Sequence, residues 1–265
     1  MKEDNKLPEA QQEPKGVSRR GFLKTLTGTA AGIGISQMFN PALVSALEKG
    51  LENHPVLWIQ GQGCTGCSVS LLNTVEPSIK KVLLDIISLQ YHPTVMAAEG
   101  EVALENLYHI ADKYKGKFSL VVEGAIPMAA GGKYCIVGEM GHKHITMLDM
   151  TKDLGSKAGS VLAVGTCAAY GGIPAAEGNL TEAKGVGDVF KKYGIKTPTV
   201  NIPGCPPHPD WIVGSVAHLL TKGVPEVDSY GRPKLFFWNN IHENCPRLSD
   251  YDNFIMSKSL SDPKG

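Results

Sequence analysis

Five short apolar runs, at residues 56–59, 84–89, 120–122, 161–164 and 199–202, are rich in Val, Ile and Leu and lack a clean apolar–polar alternation. Strands read this way when both their faces are buried, as in a parallel sheet covered by helices above and below. Helical-looking segments at 102–114 and 186–193 fall between the runs. Strands alternating with helices define an α/β fold with a parallel sheet. The chain has 265 residues, enough for one large domain or for one domain and a smaller piece, and its 30 glycines fit a loop-rich protein. Acidic and basic residues balance at 26 each, so no net charge recommends nucleic acid as a partner.

The runs end in turns of unusual composition. The first opens into Gly61-Gln62-Gly63-Cys64-Thr65-Gly66-Cys67, followed by Ser68-Val69-Ser70-Leu71-Leu72, which reads as the first turns of a helix. The third ends in Glu123-Gly124-Ala125-Ile126-Pro127, the fourth in Gly165-Thr166-Cys167 and the fifth in Pro203-Gly204-Cys205-Pro206-Pro207. Open α/β sheets bind ligands outside the carboxyl ends of their strands. Cys64, Cys67, Cys167 and Cys205 are therefore expected to converge on one edge. Four thiolates are the ligand count of a [4Fe–4S] cluster or of a structural zinc. Glycines let the backbone approach such a group, prolines stiffen the last loop, and the helix start offers free N–H groups and a positive dipole end to an anionic centre. A lone Cys-x-x-Cys also fits a redox dithiol or half a zinc site, and Cys167 and Cys205 also fit ordinary buried thiols.

Other candidates carry less. Cys135 opens an apolar run and reads as a packed free thiol. His142 and His144 read as a solvated loop, with metal binding as the sharper alternative. His208, between prolines, is either a donor behind the ligands or a surface residue. His242 and Cys245, three apart in Ile241-His242-Glu243-Asn244-Cys245, face the same way on one helical turn, as half of a metal site or as a plain capped surface helix.

The N-terminus has the order of an export signal. A polar stretch over residues 1–17 leads to Ser18-Arg19-Arg20-Gly21-Phe22-Leu23-Lys24, a weakly apolar segment at 25–38 and a small-residue site at Val44-Ser45-Ala46. The paired arginines match a twin-arginine signal. Residues 1–46 are accordingly set aside from the fold. The apolar segment is too short and glycine-rich for a membrane span. Export of a folded, already loaded protein tilts the six cysteines toward metal rather than disulfides.

Taken together, Gly63-Cys64-Thr65-Gly66-Cys67, Gly165-Thr166-Cys167, Pro203-Gly204-Cys205-Pro206-Pro207 and Ile241-His242-Glu243-Asn244-Cys245 agree in sequence, order and separation with one family. The chain resembles the small subunit of periplasmic nickel–iron hydrogenases, and the fuller runs at 165–179 and 203–211 look most like the nickel–iron–selenium type. The resemblance covers the signal and residues 55–253. It implies a flavodoxin-like domain at 47–232, followed at 233–265 by the start of a C-terminal cluster-binding domain, truncated. It implies a proximal [4Fe–4S] cluster on Cys64, Cys67, Cys167 and Cys205, and His242 and Cys245 as part of a distal [4Fe–4S] site. The nickel–iron centre belongs to a partner large subunit on two Cys-x-x-Cys pairs, so no catalytic residue is expected in this chain, which has one such pair. Glu123 is either part of a proton or water network or a structural carboxylate. The implied partners are the large subunit, a cytochrome or other redox carrier and the twin-arginine translocase, in the periplasm, with membrane association open.

The family continues with further cysteines where this chain has Asp262-Pro263-Lys264-Gly265. The expectation is an in-frame UGA, encoding a ligand selenocysteine and taken for a stop, set evenly against a frameshift, a partial gene or a deliberate truncation. Two other functions compete with the electron-transfer subunit: a quinone-reductase-type iron–sulfur subunit of the same fold, and a zinc-stabilised α/β binding module.

Overall fold

In the computed structural model, residues 54–262 are described, apart from 76 and 244. The twin-arginine run and the rest of segment 1–46 lie outside the described residues. The elements run β1 (Pro55–Gln60), α1 (Gly66–Leu72), α2 (Ile79–Lys81) with a π-helical continuation over Val82–Ile86, β2 (Ser88–Tyr91), α3 (Gly100–Lys113) and β3 (Ser119–Glu123). They continue as β4 (Ile136–Met140), β5 (Lys143–Thr146), α4 (Met147–Lys157), β6 (Ser160–Val164), α5 (Thr166–Tyr170), α6 (Val186–Tyr193), β7 (Thr199–Ile202), α7 (Pro209–Lys222), α8 (Lys234–Phe237) and α9 (Leu248–Asp252).

Five strands form one sheet in the order β2-β1-β3-β6-β7, with every pairing parallel. Counting the parallel strands alone, this is the 2-1-3-4-5 order of flavodoxin-like sheets, with the switch point between β1 and β3. β4 and β5 form a separate antiparallel hairpin.

Successive side chains on a strand face opposite ways, and here both ways are apolar. One face presents Leu57, Ile59, Leu120, Val122, Val161 and Ala163 to a core closed by α3, α4 and α6 through residues such as Leu107, Leu154 and Phe190. The other presents Val56, Trp58, Val121, Leu162, Val164 and Ile202 to Leu71, Val82, Ile86, Ile212 and Val216. The same pleat places Glu123, two residues past Val121, on the face of Trp58.

Register makes the carboxyl edge. Gln60 pairs with Glu123, Glu123 with Val164, and Val164 with Ile202, so four strands finish in one row. The turns after β1, β3, β6 and β7 therefore start side by side.

The expected strand at 84–89 falls differently. Residues 82–86 wind as a π-helix and the strand occupies Ser88–Tyr91. A short continuous apolar run fits a buried strand and a buried helix alike, and packing decided here, with Val82, Ile86 and Ile87 buried against Val56 and Ile212. The helix expected at 102–114 spans Gly100–Lys113, and that at 186–193 has those bounds. Among the described residues, no helix is long and apolar enough to cross a membrane.

After α7 the chain leans on that helix through a few aromatic contacts. Phe237 meets Trp211 edge-on with ring centroids 5.0 Å apart, and the Phe236 ring lies over Gly214. Residues 239–261 are mostly exposed.

Leu107 is fully buried under the sheet. Leu107→Ala should reduce unfolding free energy by about 2–5 kcal/mol, seen as a lower urea midpoint.

Candidate metal centre

The four turns at the carboxyl edge are tied in two pairs by backbone hydrogen bonds, and the pairs are joined by a side-chain bond. Gly61 N–H donates to the Glu123 carbonyl at 2.8 Å, and Gln62 and Ala125 exchange bonds at 2.9 and 2.7 Å. Gly165 N–H donates to Ile202 and Thr166 N–H to Gly204, both at 2.9 Å. The Thr166 hydroxyl gives to the Gly204 carbonyl and receives the Gly204 N–H, each at 3.1 Å. The Ser70 hydroxyl donates to the Pro207 carbonyl at 2.7 Å, joining α1 to the last loop.

These ties bring Cys64, Cys67, Cys167 and Cys205 into one neighbourhood. Burial pushes the Cys67 thiol up to about 12, and Glu123, Cys167, Cys64 and Cys205 each add to the rise. Burial also raises Cys167, against a backbone hydrogen bond from Ile173 that favours the thiolate. Groups with such mutual effects share one site although they come from three loops. Cys64 and Cys205 are exposed, while Cys67 and Cys167 are half-buried.

Glycines stand against the sulfurs. A Cβ at Gly165 would lie 2.4 Å from Cys67 Sγ, one at Gly172 2.8 Å from Cys167 Sγ, and one at Gly66 3.1 Å from Cys64 Sγ. The space around the thiols is thus kept free of side chains. Gly165 also has φ +90, which L residues rarely adopt. Its position between Cys67 and the Cys167 turn leaves room for nothing larger.

Glu123 closes the site from below, at 2 % exposure. Its Oε1 accepts Cys67 N–H at 3.0 Å and Ser68 N–H at 3.2 Å. Its Oε2 accepts the Trp58 indole N–H at 2.9 Å and the Ser68 hydroxyl in a close contact. The Ser68 hydroxyl also meets His92 Nε2 at 3.2 Å, and His92 stacks on Trp58 with centroids 5.0 Å apart. Burial lowers the His92 pKa, opposed by the charge of Glu123. This corrects one expectation. Two first-turn amides of α1 are not free to face an anionic centre, because Glu123 takes them and acts as the helix cap. The residue at the N-cap itself, Thr65, is left-handed and makes no side-chain cap bond.

The remaining candidates stand elsewhere. His242 and Cys245 lie in a turn, with Cys245 N–H donating to the His242 carbonyl at 3.1 Å, rather than on a helix, since α9 starts only at Leu248. The His242 ring stacks on Tyr251. Cys135 packs against the first of the two cores, its thiol pKa raised by burial. His142 and His144 are exposed on the β4–β5 hairpin, each with Nδ1 3.8 Å from Glu139. His208 caps α7, accepting Asp210 N–H at 3.3 Å. Ser68, His92 and Trp58 went unnoticed in the sequence. Ser68 directly follows Cys67 and is the one of these with a positional hint.

Two substitutions probe the arrangement. Gly165→Ala adds a strained backbone and a clash with Cys67 Sγ, and should remove most of the capacity of the four thiols to take up a metal centre, measured as metal bound per chain. Glu123→Gln turns a donor toward groups that themselves donate, and should cost about 1–3 kcal/mol in chemical denaturation.

Comparison with known proteins gives the family of the chain. Residues 64–219 match the profile of the family described as NADH ubiquinone oxidoreductase, 20 Kd subunit. The periplasmic [NiFeSe] hydrogenase small subunit of Desulfomicrobium baculatum is 54% identical over 93% of this chain and 82% of its own length. The periplasmic [NiFe] hydrogenase small subunit of Solidesulfovibrio fructosivorans is 43% identical over 89% and 72%. A crystal structure of the Ni-Fe-Se hydrogenase from D. baculatum superposes with a TM-score of 0.74 at 55% identity, covering 80% of this chain and 81% of that one. The recombinant [NiFeSe] hydrogenase from Desulfovibrio vulgaris Hildenborough gives 0.74 at 57%, over 81% and 80%. At these identities, over most of both chains, the protein belongs to the family of nickel–iron and nickel–iron–selenium hydrogenase small subunits.

Proposed function

We propose that this chain is the electron-transfer subunit of a nickel–iron(–selenium) hydrogenase, and that Cys64, Cys67, Cys167 and Cys205 hold a proximal [4Fe–4S] cluster. The observation that carries the reading is the row of strand ends that delivers three cysteine-bearing turns to one glycine-lined edge. A bound cluster supplies one-electron chemistry. The chain supplies its thiolates, its burial and the hydrogen bonds around it, which set the potential. No acid, base or nucleophile in the chain is needed for hydrogen cleavage, which belongs to the bimetallic site of the large subunit.

The donor set, four thiols with glycines against three of the sulfurs, suits a soft metal centre, and four thiolates are the ligand count of a four-iron cluster as of a structural zinc. The match to hydrogenase small subunits favours the cluster. The quinone-reductase alternative shares the fold and the profile match. The hydrogenase relatives' coverage of 93% and 89% of this chain favours the first reading.

The large subunit is the partner that this edge fits. Val69 and Val75 on and after α1, and Ile173 and Leu180 after Cys167, are exposed apolar side chains beside the cysteine turns. An electron must cross a short gap, so the partner's metal site belongs next to them. His242 and Cys245 are assigned to a distal [4Fe–4S] site in a C-terminal segment at 233–265, beyond a cluster domain at 47–232. A twin-arginine signal at 1–46, export by its translocase to the periplasm, and a cytochrome or similar carrier as the external partner complete the proposal.

Anaerobically purified protein should contain iron and sulfide and absorb broadly near 400 nm, as about four irons per proximal site require. Cys64→Ala should remove that cluster and weaken assembly with the large subunit. Bound zinc in a colourless protein, or an intact cluster with normal hydrogen oxidation in Cys64→Ala, would defeat the assignment.

A further inference from the structure

Behind the cysteines lies a line of hydrogen bonds that ligation alone does not require. Trp58, Ser68, His92 and Glu123 are each at most 2 % exposed, so none of their polar atoms is met by bulk water. On Glu123, Oε1 takes the amides of Cys67 and Ser68, and Oε2 takes the Trp58 indole and the Ser68 hydroxyl. Amides and indole only donate. The hydroxyl has one proton, and it can give that proton to Glu123 only if His92 gives rather than takes.

The ring settles this direction. His92 Nδ1 accepts the Thr94 N–H at 3.2 Å, which leaves the proton of a neutral imidazole on Nε2, and Nε2 faces Ser68 Oγ at 3.2 Å. The line then runs one way: His92 Nε2–H to Ser68 Oγ, and Ser68 O–H to Glu123 Oε2. The His92 ring stacks on the Trp58 ring, so one aromatic pair fixes both donors to Oε2. On the other oxygen, the same carboxylate grips the amide of a cysteine.

We infer that His92 is a positioning residue for the cluster turn, acting through Ser68 on Glu123, and that this relay moderates the negative charge that the cluster faces. The inference rests on ligation by Cys64, Cys67, Cys167 and Cys205 as proposed above. Charge in a dry site is weakly screened. Donors on Oε2 draw electron density away from Oε1 and the cysteine side. Without the His92 proton the hydroxyl is less polarised and gives Glu123 a weaker hydrogen bond, Glu123 presents more charge, and adding an electron to the centre becomes harder.

The test uses the assembled heterodimer with its large subunit. His92→Phe keeps the ring stack and loses the donor, His92→Gln keeps a donor, and Ser68→Ala removes the relay. The readouts are the proximal-cluster midpoint potential, by redox titration followed by electron paramagnetic resonance, and hydrogen–deuterium exchange of the peptide containing the Cys67 and Ser68 amides. Ser68→Ala should shift the potential to more negative values, His92→Phe should shift it the same way by less, the double variant should go no further than Ser68→Ala, and both should speed exchange in that peptide. His92→Gln should restore both. If His92→Phe fails to assemble, Ser68→Ala alone must show the negative shift. An unmoved or more positive potential in the assembled single variants, or additive shifts in the double variant, would overturn the inference. Absence of a [4Fe–4S] signal from the unaltered protein would instead overturn the ligand assignment.

Discussion

The carboxyl edge of the sheet depends on strand register. Gln60, Glu123, Val164 and Ile202 stand in one row because each strand pairs in phase with the next. A slip of one residue on any strand would turn its side chains to the opposite face. On β3 such a slip would take Glu123 away from Trp58 and Cys67 and put an apolar residue in its place. The two cores resist this, since Leu120 and Val122 fill one and Val121 the other. Hydrophobic packing, which knows nothing of metals, thus sets the position of the thiols.

A buried carboxylate beside four thiols is an electrostatic liability that the structure meets with donors. Burying an unpaired charge costs several kcal/mol or more. Glu123 is met by two amides, an indole and a hydroxyl. The thiols are treated differently. Burial, Glu123 and the other three cysteines all work against a Cys67 thiolate in the free protein. A metal centre reverses that balance by replacing the protons. The glycines at 66, 165 and 172 leave space beside these thiols, where the proposed cluster would sit.

Much of this was open to reading along the chain. The apolar runs named four of the five parallel strands, and each cysteine-bearing turn lies where the runs end. The run at 84–89 misled because periodicity cannot separate a buried helix from a buried strand over six residues. His242 and Cys245 were put on one helical turn, and the chain forms a tight turn there instead, with a proline directly after Cys245. The helix start of α1 was expected to lend its amides to an anion. The anion that takes them comes from a strand 56 residues away, which no local pattern announces.

The sequence by itself determined the class of fold, the strand ends that carry the cysteines and the membership of the hydrogenase small-subunit family, because hydrophobic period and turn motifs are properties of neighbours in the chain. Only the tertiary structure decided that Glu123 caps the cysteine helix and that Ser68 and His92 stand behind it. Those contacts join residues tens of positions apart. They exist only after parallel strands have paired in register and the pleat has chosen a face for each side chain.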